Sequence, residues 1–271
     1  PIDEYLTPRN VDLTMFYPAD LDAFLWRGRR WSLPLPTTGG YLDLLAYNKD
    51  RFAEAGLDPD SPPATWGDLA DASRRLTTYG PDDRIETLGL YIEPLHFVPF
   101  LYSNAGSFIS DDGTRILFHS PQGVETLSYL ANFLTTTGGW SRFEEYFTRH
   151  QLWGPTDGWY AGIEGMRFVN AAIFGLMRTM APDIEYGVTL YPYNENNPQA
   201  RSRGVAGFRF AWGYVIPRGI PRERQEAAYL FLEFLTTAEE GGGWFALQQG
   251  RPSPVRRFNE SRAYYDANPH W

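Results

Sequence analysis

The residues able to carry covalent or acid–base chemistry are few, and their spacing fits no reaction centre. Glu144 and Glu145 are adjacent carboxylates; on a helix such side chains point about 100° apart, so they cannot flank one glycosidic bond. The four histidines lack metal-ligand spacing, and without cysteine no thiolate site or disulfide can form. Nucleophile-elbow, P-loop, dinucleotide-binding and His-Glu-x-x-His motifs do not occur. We therefore predict no enzyme, no cofactor and no metal site, although carboxylates distant in sequence could still converge.

Reversible binding of a polar molecule is a second kind of chemistry, and one candidate for it is a turn near residue 40. Thr37, Thr38, Gly39 and Tyr41 together form a polar, closely packing turn that suits a hydroxyl-rich ligand. An ordinary turn followed by a core tyrosine is the alternative interpretation.

The second candidate is an arginine between two aromatic residues. Strand alternation would place Phe208 and Phe210 on one face and Arg209 on the other. The guanidinium group could fork onto a carboxylate or phosphate, or bridge neighbouring sugar hydroxyls. A surface ion pair explains the same residue equally well.

The elements that must position the first candidate lie in the segment Pro34–Leu76. The apolar run at 42–47 predicts a strand buried on both faces. Asn48 then starts a helix that ends at Gly56, and a proline-rich loop follows. Thr65 predicts the N-cap of a second helix, whose apolar residues recur at helical spacing.

Further elements are predicted along the rest of the chain. Strands are expected at 88–92, 115–118 and 185–192. Ser120 and Pro121 predict a helix start. The buried stripe of that helix is expected at Val124, Leu127, Leu130, Ala131 and Leu134, and a helix at 222–235 is expected to bury Ala227, Ala228, Phe231, Phe234 and Leu235.

Composition bounds the class of protein. A length of 271 residues allows one large or two modest domains. Aromatic residues make up 16% of the chain; they could stack on sugar rings or fill wide cores, and both interpretations stay open. The formal charge of −9 argues against nucleic acid and anionic membranes as partners. No apolar run approaches the roughly 18 residues of a membrane span.

A series of short motifs resembles one known family. Tyr-Asn-Lys-Asp at 47–50, Ala-Gly-Leu-Asp at 55–58, Pro-Pro at 62–63 and Thr-Trp at 65–66 follow the strand in that order. This order resembles the extracellular solute-binding proteins of ABC importers, the maltose-binding-like family of mostly sugar binders. Trp159–Met166 resembles the family's Phe-x-x-Gly-x-x-Ala-Met box, and Glu185–Pro192 its strand that returns to the first lobe.

The resemblance implies ligand contacts at four points of the chain. These points are the turn before the first strand, the Glu-Pro junction at 93–94, the segment from Asn170, and the segment around Arg209. At Asn170 this chain departs from the Gly-x-Trp of sugar binders, so a simple stacked sugar is a weaker expectation there. The expected ligand-binding residues are Thr38, Gly39, Tyr41, Glu93, His96, Phe97, Asn170, Phe174, Gly207, Phe208 and Arg209.

The resemblance also implies an α/β fold of the type II periplasmic-binding-protein kind. In such a fold two lobes are joined by crossing hinge strands, and the ligand cleft lies between the lobes. The N-terminal lobe is expected to comprise residues 1–42 and 192–237, and the C-terminal lobe 43–191 and 238–271. Family members have sequence before and after the part matched here, so we expect a fragment with an incomplete N-terminal lobe.

The function that the resemblance implies is capture of a mono- or oligosaccharide outside the cytoplasm. The protein would be periplasmic or lipid-anchored at the outer face of the cell membrane. As a monomer it would deliver the sugar to an ABC transporter permease by cleft closure. Binding of a non-sugar solute (glycerol phosphate, a sugar acid or a polyamine) is one alternative. A glycan-active enzyme with two converging carboxylates is the other.

Overall fold

The computed structural model describes residues 1–35, 44–152, 154–202 and 213–269, which pack as two units. Unit 1 comprises Pro1–Leu42, Asn170–Leu176 and Phe208–Trp271, and unit 2 comprises Asp43–Val169 and Met177–Gly207. The strands are β1 (Leu25–Trp26), β2 (Arg29–Arg30), β3 (Leu44–Asn48), β4 (Thr78–Tyr79), β5 (Ile85–Thr87), β6 (Met166–Val169) and β7 (Tyr186–Thr189). The α-helices are α1 (Asp3–Arg9), α2 (Pro18–Asp22), α3 (Lys49–Glu54), α4 (Trp66–Leu76), α5 (Phe97–Ser103), α6 (Pro121–Thr137), α7 (Trp140–Arg149), α8 (Ile173–Met180), α9 (Arg222–Thr237), α10 (Trp244–Gln249), α11 (Arg256–Asn259) and α12 (Arg262–Ala267).

Strand β3 is the middle strand of a three-stranded sheet in unit 2. It pairs antiparallel with β6 on one side and with β7 on the other. All five of its residues are buried, which confirms the prediction of a strand covered on both faces. Gly187 of β7 lies opposite Tyr47, and a Cβ at Gly187 would lie 2.3 Å from the Tyr47 side chain. The tyrosine therefore packs where only glycine leaves room for it.

The two helices that follow β3 begin as predicted. The Asn48 side chain accepts a hydrogen bond from the Arg51 backbone N–H (3.1 Å) at the start of α3. Past the end of α3, Gly56 has φ +69°. At α4, Thr65 Oγ1 accepts from the Asp68 N–H and the Asp68 carboxylate accepts from the Thr65 N–H, both at 3.1 Å. This reciprocal pair is a capping box.

Much of the aromatic content fills the core of unit 2. The Trp66 ring stacks on Tyr129 with centroids 4.4 Å apart, and Phe168 stacks on Tyr191 at 4.3 Å. Phe100 contacts both groups, at 5.9 Å from Trp66 and 5.5 Å from Phe168. For these rings the wide-core interpretation is the one the structure supports.

The buried faces predicted for α6 and α9 are only partly right. Leu130 and Leu134 of α6 are half-buried against core clusters, but other predicted residues are exposed. Val124 and Leu127 of α6 are 61% and 60% exposed, and Phe231 of α9 is 62% exposed. Helix α6 instead turns Phe133 into the aromatic core, and α9 turns Tyr229 into the core of unit 1. In α9 the buried residues also include Leu232, while Phe231 and Phe234 stay exposed, so apolar area along the helix does not by itself decide the rotation.

Two of the predicted strands do not form. Leu88 makes a single parallel bridge with Glu164, and Ile116 makes a single antiparallel bridge with Ile109. The backbone at Leu88 and Gly89 does bond to the segment before β6: the Gly165 N–H donates to Leu88 O at 2.8 Å. The pairing stops there, and the Glu-Pro sequence at 93–94 begins a short 3₁₀ helix. The third predicted strand, at 185–192, forms as β7.

Unit 1 has its own core, built from both ends of the chain. The Tyr5 and Tyr229 rings stack at 5.0 Å, and the Tyr17 N–H donates to Pro254 O at 3.0 Å. Residues 238–271, which were expected in the second lobe, therefore belong to unit 1, because residues such as Val255 lie in the same apolar cluster as Tyr5. Conversely, 192–207 belongs to unit 2. The functional lobes themselves stay a prediction.

Among the described residues, no helix combines the length and the apolar character needed to span a membrane.

Candidate functional site

Three of the predicted ligand-binding residues lie at one junction of unit 2. Glu93 is the residue before the 3₁₀ helix Pro94–His96, which runs directly into α5 at Phe97. Proline suits the first helical position because its ring presets φ and it needs no donor there. The His96 N–H donates to Glu93 O at 2.9 Å, which closes the turn. Glu93 and Phe97 are half-buried at this junction.

His96 is held as a neutral acceptor. Its ring is 8% exposed and lies 5.0 Å from the Phe168 ring. Burial lowers the pKa of His96 from 6.5 to about 4, and the hydrogen bond with the Glu93 carbonyl opposes that shift in part. Nδ1 lies 3.3 Å from Glu93 O, so we assign the proton to Nδ1, which donates to that carbonyl. Nε2 is then a lone-pair acceptor at neutral pH.

A small cavity of about 30 Å³ lies beside this histidine. That volume accepts a water molecule or a single hydroxyl group and little more. Its polar lining comes from Glu93, His96, Glu164 and Arg167, and its apolar lining includes Tyr91, Phe147, Leu152, Met166 and Phe168. The cavity therefore combines hydrogen-bonding groups with aromatic walls.

A buried ion cluster forms one side of the cavity. The Arg167 guanidinium donates to both oxygens of Glu164, at 2.7 and 2.6 Å, and to Asp157 Oδ2 at 2.9 Å. The three side chains are at most 8% exposed. The Trp159 N–H also donates to Asp157 Oδ1 (2.9 Å), and Tyr146 OH lies 3.4 Å from Glu164 Oε1. A forked guanidinium and these further donors are what a buried carboxylate pair requires.

The electrostatics of the cluster follow from its burial. Burial raises the pKa of Glu164 above its usual value, against the opposing effect of Arg167. Burial alone would lower the pKa of Arg167, but the two carboxylates outweigh it and the pKa is raised. With one cation and two carboxylates, the cluster has a formal charge of −1 when all three groups are ionised. Glu93 adds a further carboxylate to the cavity lining.

The sequence analysis did not identify this cluster. Its only signal was an arginine inside an apolar run, Met166 to Val169, with a glutamate three residues earlier. Spacing of that kind is as common on solvated helices. Trp159 and Met166, the two ends of the box that resembles the family's, are both buried.

The remaining predicted ligand-binding residues that the structure describes are not part of the junction at Glu93. Asn170 lies in unit 1, where its side chain accepts a hydrogen bond from the Ala172 N–H at 2.9 Å. Phe174 is 2% exposed, so its ring presents almost no surface to a solute. Its predicted ligand contact stays a prediction. Thr38, Gly39, Tyr41, Gly207, Phe208 and Arg209 lie outside the described residues.

The described part of the chain holds no group of three or more His, Cys, Asp or Glu side chains arranged to bind a metal ion. The cavity at Glu93 is lined by hydrogen-bonding groups and aromatic rings.

The fold resembles those of solved solute-binding proteins. An ABC transporter solute-binding protein from Thermotoga lettingae, solved with α-D-tagatose, aligns with a TM-score of 0.73 over 100% of this chain and 64% of its own, at 24% identity. UgpB from Mycobacterium tuberculosis, solved with glycerophosphocholine, aligns with a TM-score of 0.68 over 99% of this chain and 65% of its own, at 20% identity. The fold is that of a type II periplasmic binding protein.

The sequence identifies the family. The profile of the bacterial extracellular solute-binding proteins matches residues 1–242, and the chain belongs to that family. The sn-glycerol-3-phosphate-binding periplasmic protein UgpB of Escherichia coli K12 is 27% identical over 240 residues, which is 83% of this chain and 50% of UgpB. The chain thus spans about half the length of the curated relatives it matches.

Proposed function

We propose that the protein captures a small, uncharged, hydroxyl-rich solute outside the cytoplasm, namely a mono- or oligosaccharide, and does no chemistry on it. Membership of the solute-binding family supports capture, and tagatose in the Thermotoga relative supports a carbohydrate. In the mechanism we propose, two lobes close on the solute. Only a solute that prefers the closed state over the open one can drive such closure.

The observation that carries the proposal is the acceptor character of the junction at Glu93. The Glu93 carboxylate and the neutral His96 Nε2 both accept hydrogen bonds, and a sugar hydroxyl donates them. Phe168 and Tyr91 supply apolar walls beside these acceptors. A cavity of about 30 Å³ suits one hydroxyl group rather than a whole ring.

Binding of a glycerol-phosphate ester is the second candidate, and the likeness to UgpB favours it. A phosphate group would need cationic or N–H donors. At the described junction the one arginine, Arg167, is already bonded to two carboxylates, and the formal charge there is negative. We therefore place any phosphate group away from Glu93, and we rank the neutral sugar first.

A binding screen tests the proposal. Thermal shift over neutral sugars and polyols, sugar acids, sn-glycerol 3-phosphate and polyamines should give stabilisation by a neutral sugar. A ligand at about a hundred times its Kd should stabilise the folded chain by about 2.7 kcal/mol. Glu93→Gln should weaken that sugar's affinity about 10- to 100-fold in calorimetry, the usual loss for a hydrogen bond to a charged group.

Glu144→Gln is the matched control, because Glu144 is exposed on α7 and lies away from the cavity lining. Equal losses in both variants, or stabilisation by polyamines alone, would contradict the sugar proposal. Stabilisation by glycerol 3-phosphate alone would establish the second candidate. Release of products from a glycan during long incubation would mean that the protein is an enzyme.

The partner and the location belong to the same proposal. The family is extracellular, so we place the protein outside the cytoplasm, in the periplasm or held by a lipid anchor at the outer membrane face. A monomer would pass its solute to an ABC transporter permease. The two lobes are proposed to be built on units 1 and 2.

A further inference from the structure

A short hairpin in unit 1 carries a surface that solute capture does not explain. Strands β1 and β2 pair Leu25 with Arg30 and Trp26 with Arg29. Arg27 and Gly28 form the turn, with φ +52° and +70°. Two consecutive left-handed residues are the tightest way to reverse an antiparallel pair. The hairpin therefore holds its side chains in fixed positions.

One face of this hairpin combines two tryptophans with arginine. Side chains alternate along each strand, so Trp26 and Trp31 lie on the same face as Arg29. The two indole rings meet edge to face at 5.9 Å, and Trp31 Nε1 donates to Trp26 O at 3.3 Å. Trp26 is 56% exposed, and Leu25 and Trp31 are also exposed. Large apolar side chains grouped in water usually mark a contact surface.

The charge at the hairpin is opposite to that of the chain. The Arg27 guanidinium lies 4.3 Å from the Trp26 ring centroid, a cation–π contact at the tip. Arg29 is 4.0 Å from Asp3, and the Arg30 guanidinium donates to Leu21 O. Three cations thus occupy four consecutive residues of a chain whose formal charge is −9. Asp3 offsets one of these charges, so the hairpin keeps a positive local balance, with Arg27 at its tip. Salt screens charges more than about 8 Å away, which limits the effect of the rest of the acidic chain on a surface that approaches the tip.

We propose that this hairpin, Leu25–Trp31, docks the protein onto an anionic phospholipid bilayer. Tryptophan settles at the boundary between headgroups and acyl chains, and arginine attracts the lipid phosphates. Each arginine near an anionic surface adds roughly a 5-fold gain in affinity. The net charge argues against anionic membranes for the molecule as a whole, but the hairpin turns a local cationic face to the lipid.

The aromatic residues decide between a bilayer and an acidic protein. Arginines alone would serve either partner, because both present anionic groups. The two exposed indoles would gain from a hydrocarbon boundary, which a soluble acidic surface does not provide. The cation–π pair of Arg27 and Trp26 places both groups together at the tip.

Vesicle flotation tests the proposal with the full chain. We expect binding to vesicles of phosphatidylcholine mixed with phosphatidylglycerol, little binding to phosphatidylcholine alone, and release as salt rises above about 0.5 M. Arg27→Gln with Arg29→Gln should weaken binding roughly 30-fold, from two arginine contributions. Brominated acyl chains should quench tryptophan emission in the wild type and less in Trp26→Ser.

The matched control is Trp140→Ser with Arg262→Gln, which removes one exposed tryptophan and one exposed arginine elsewhere. It should bind vesicles as the wild type does. Thermal melting of each variant shows whether a loss of vesicle binding results from the substituted side chain or from unfolding. Wild-type binding by the hairpin variants would overturn the proposal. Binding to a soluble polyanion such as heparin without binding to vesicles would overturn it too, in favour of an acidic macromolecule.

Discussion

Replacing His96 with phenylalanine should change how stability depends on pH. The neutral His96 ring is buried against Phe168, so its pKa falls from 6.5 in the unfolded chain to about 4 in the folded protein. Between these values the unfolded chain binds a proton that the folded protein does not. The His96 contribution to the free energy of unfolding is therefore full above about pH 6.5 and declines as the pH falls.

The size of the effect follows from the shift. One pKa unit corresponds to about 1.36 kcal/mol, so protonation of His96 in the unfolded chain costs about 2 kcal/mol of stability at pH 5 and about 3 kcal/mol at pH 4. His96→Phe keeps an aromatic ring against Phe168 but cannot bind a proton. The variant should lose less stability than the wild type on acidification, by those amounts.

Two measurements check this expectation. Urea unfolding of the wild type and of His96→Phe at about pH 7 and about pH 5 gives the difference in their free energies of unfolding. The contributions of the other titrating groups are common to the two proteins and cancel. NMR titration of the histidine rings reports the folded pKa, and the signal lost in His96→Phe identifies the residue. Histidine 119 is exposed, so His119→Phe is the matched control. A His96 signal that titrates near pH 6.5 would refute the assignment of a buried neutral ring. The same pH dependence of the free energy of unfolding in His96→Phe and His119→Phe would refute it too.

Three further predictions concern stability and can be read from urea or thermal unfolding. Arg167→Met should cost about 3–5 kcal/mol, because it leaves two carboxylates buried without their cation; Arg84→Met, which removes an exposed pair, should change stability little. Thr65→Ala should cost about 1 kcal/mol through loss of the capping box. Gly187→Ala should cost about 1–3 kcal/mol, since its Cβ would overlap the tyrosine side chain opposite; at Gly219 an added Cβ meets nothing within 4 Å, so Gly219→Ala should leave stability unchanged.

The sequence predicts the elements that short-range physics determines. The N-caps at Asn48, Thr65 and Ser120 form as expected, because a side-chain oxygen bonds to a backbone N–H three residues away. The strand at β3 also forms, since a short apolar run is typical of a strand covered on both faces. Each of these signals lies within a few residues of the structure it causes.

Helix rotation and strand pairing depend on distant residues and could not be predicted in the same way. The apolar positions of α6 fit several rotations, and the one adopted buries Phe133 among rings such as Tyr129 and Trp66. Leu88 has the pattern of a strand, but its only bridge is to Glu164, and the chain turns at Pro94. Which face is buried, and which edge is available, is decided by tertiary contacts.

At the junction at Glu93, too, the sequence gives the charges but not their effect, because that effect depends on tertiary structure. From the sequence, Asp157, Glu164 and Arg167 already sum to −1, yet at a solvated surface such a sum has little influence on a ligand. The structure buries all three to at most 8% exposure, and two of them, Glu164 and Arg167, line the same cavity as His96. Charge in a poorly screened site acts strongly on a neighbouring group, so this junction should oppose a second anion and accept hydroxyl donors. Burial, rather than the count of charges, is therefore our reason for proposing a neutral sugar rather than a phosphate ester at this junction.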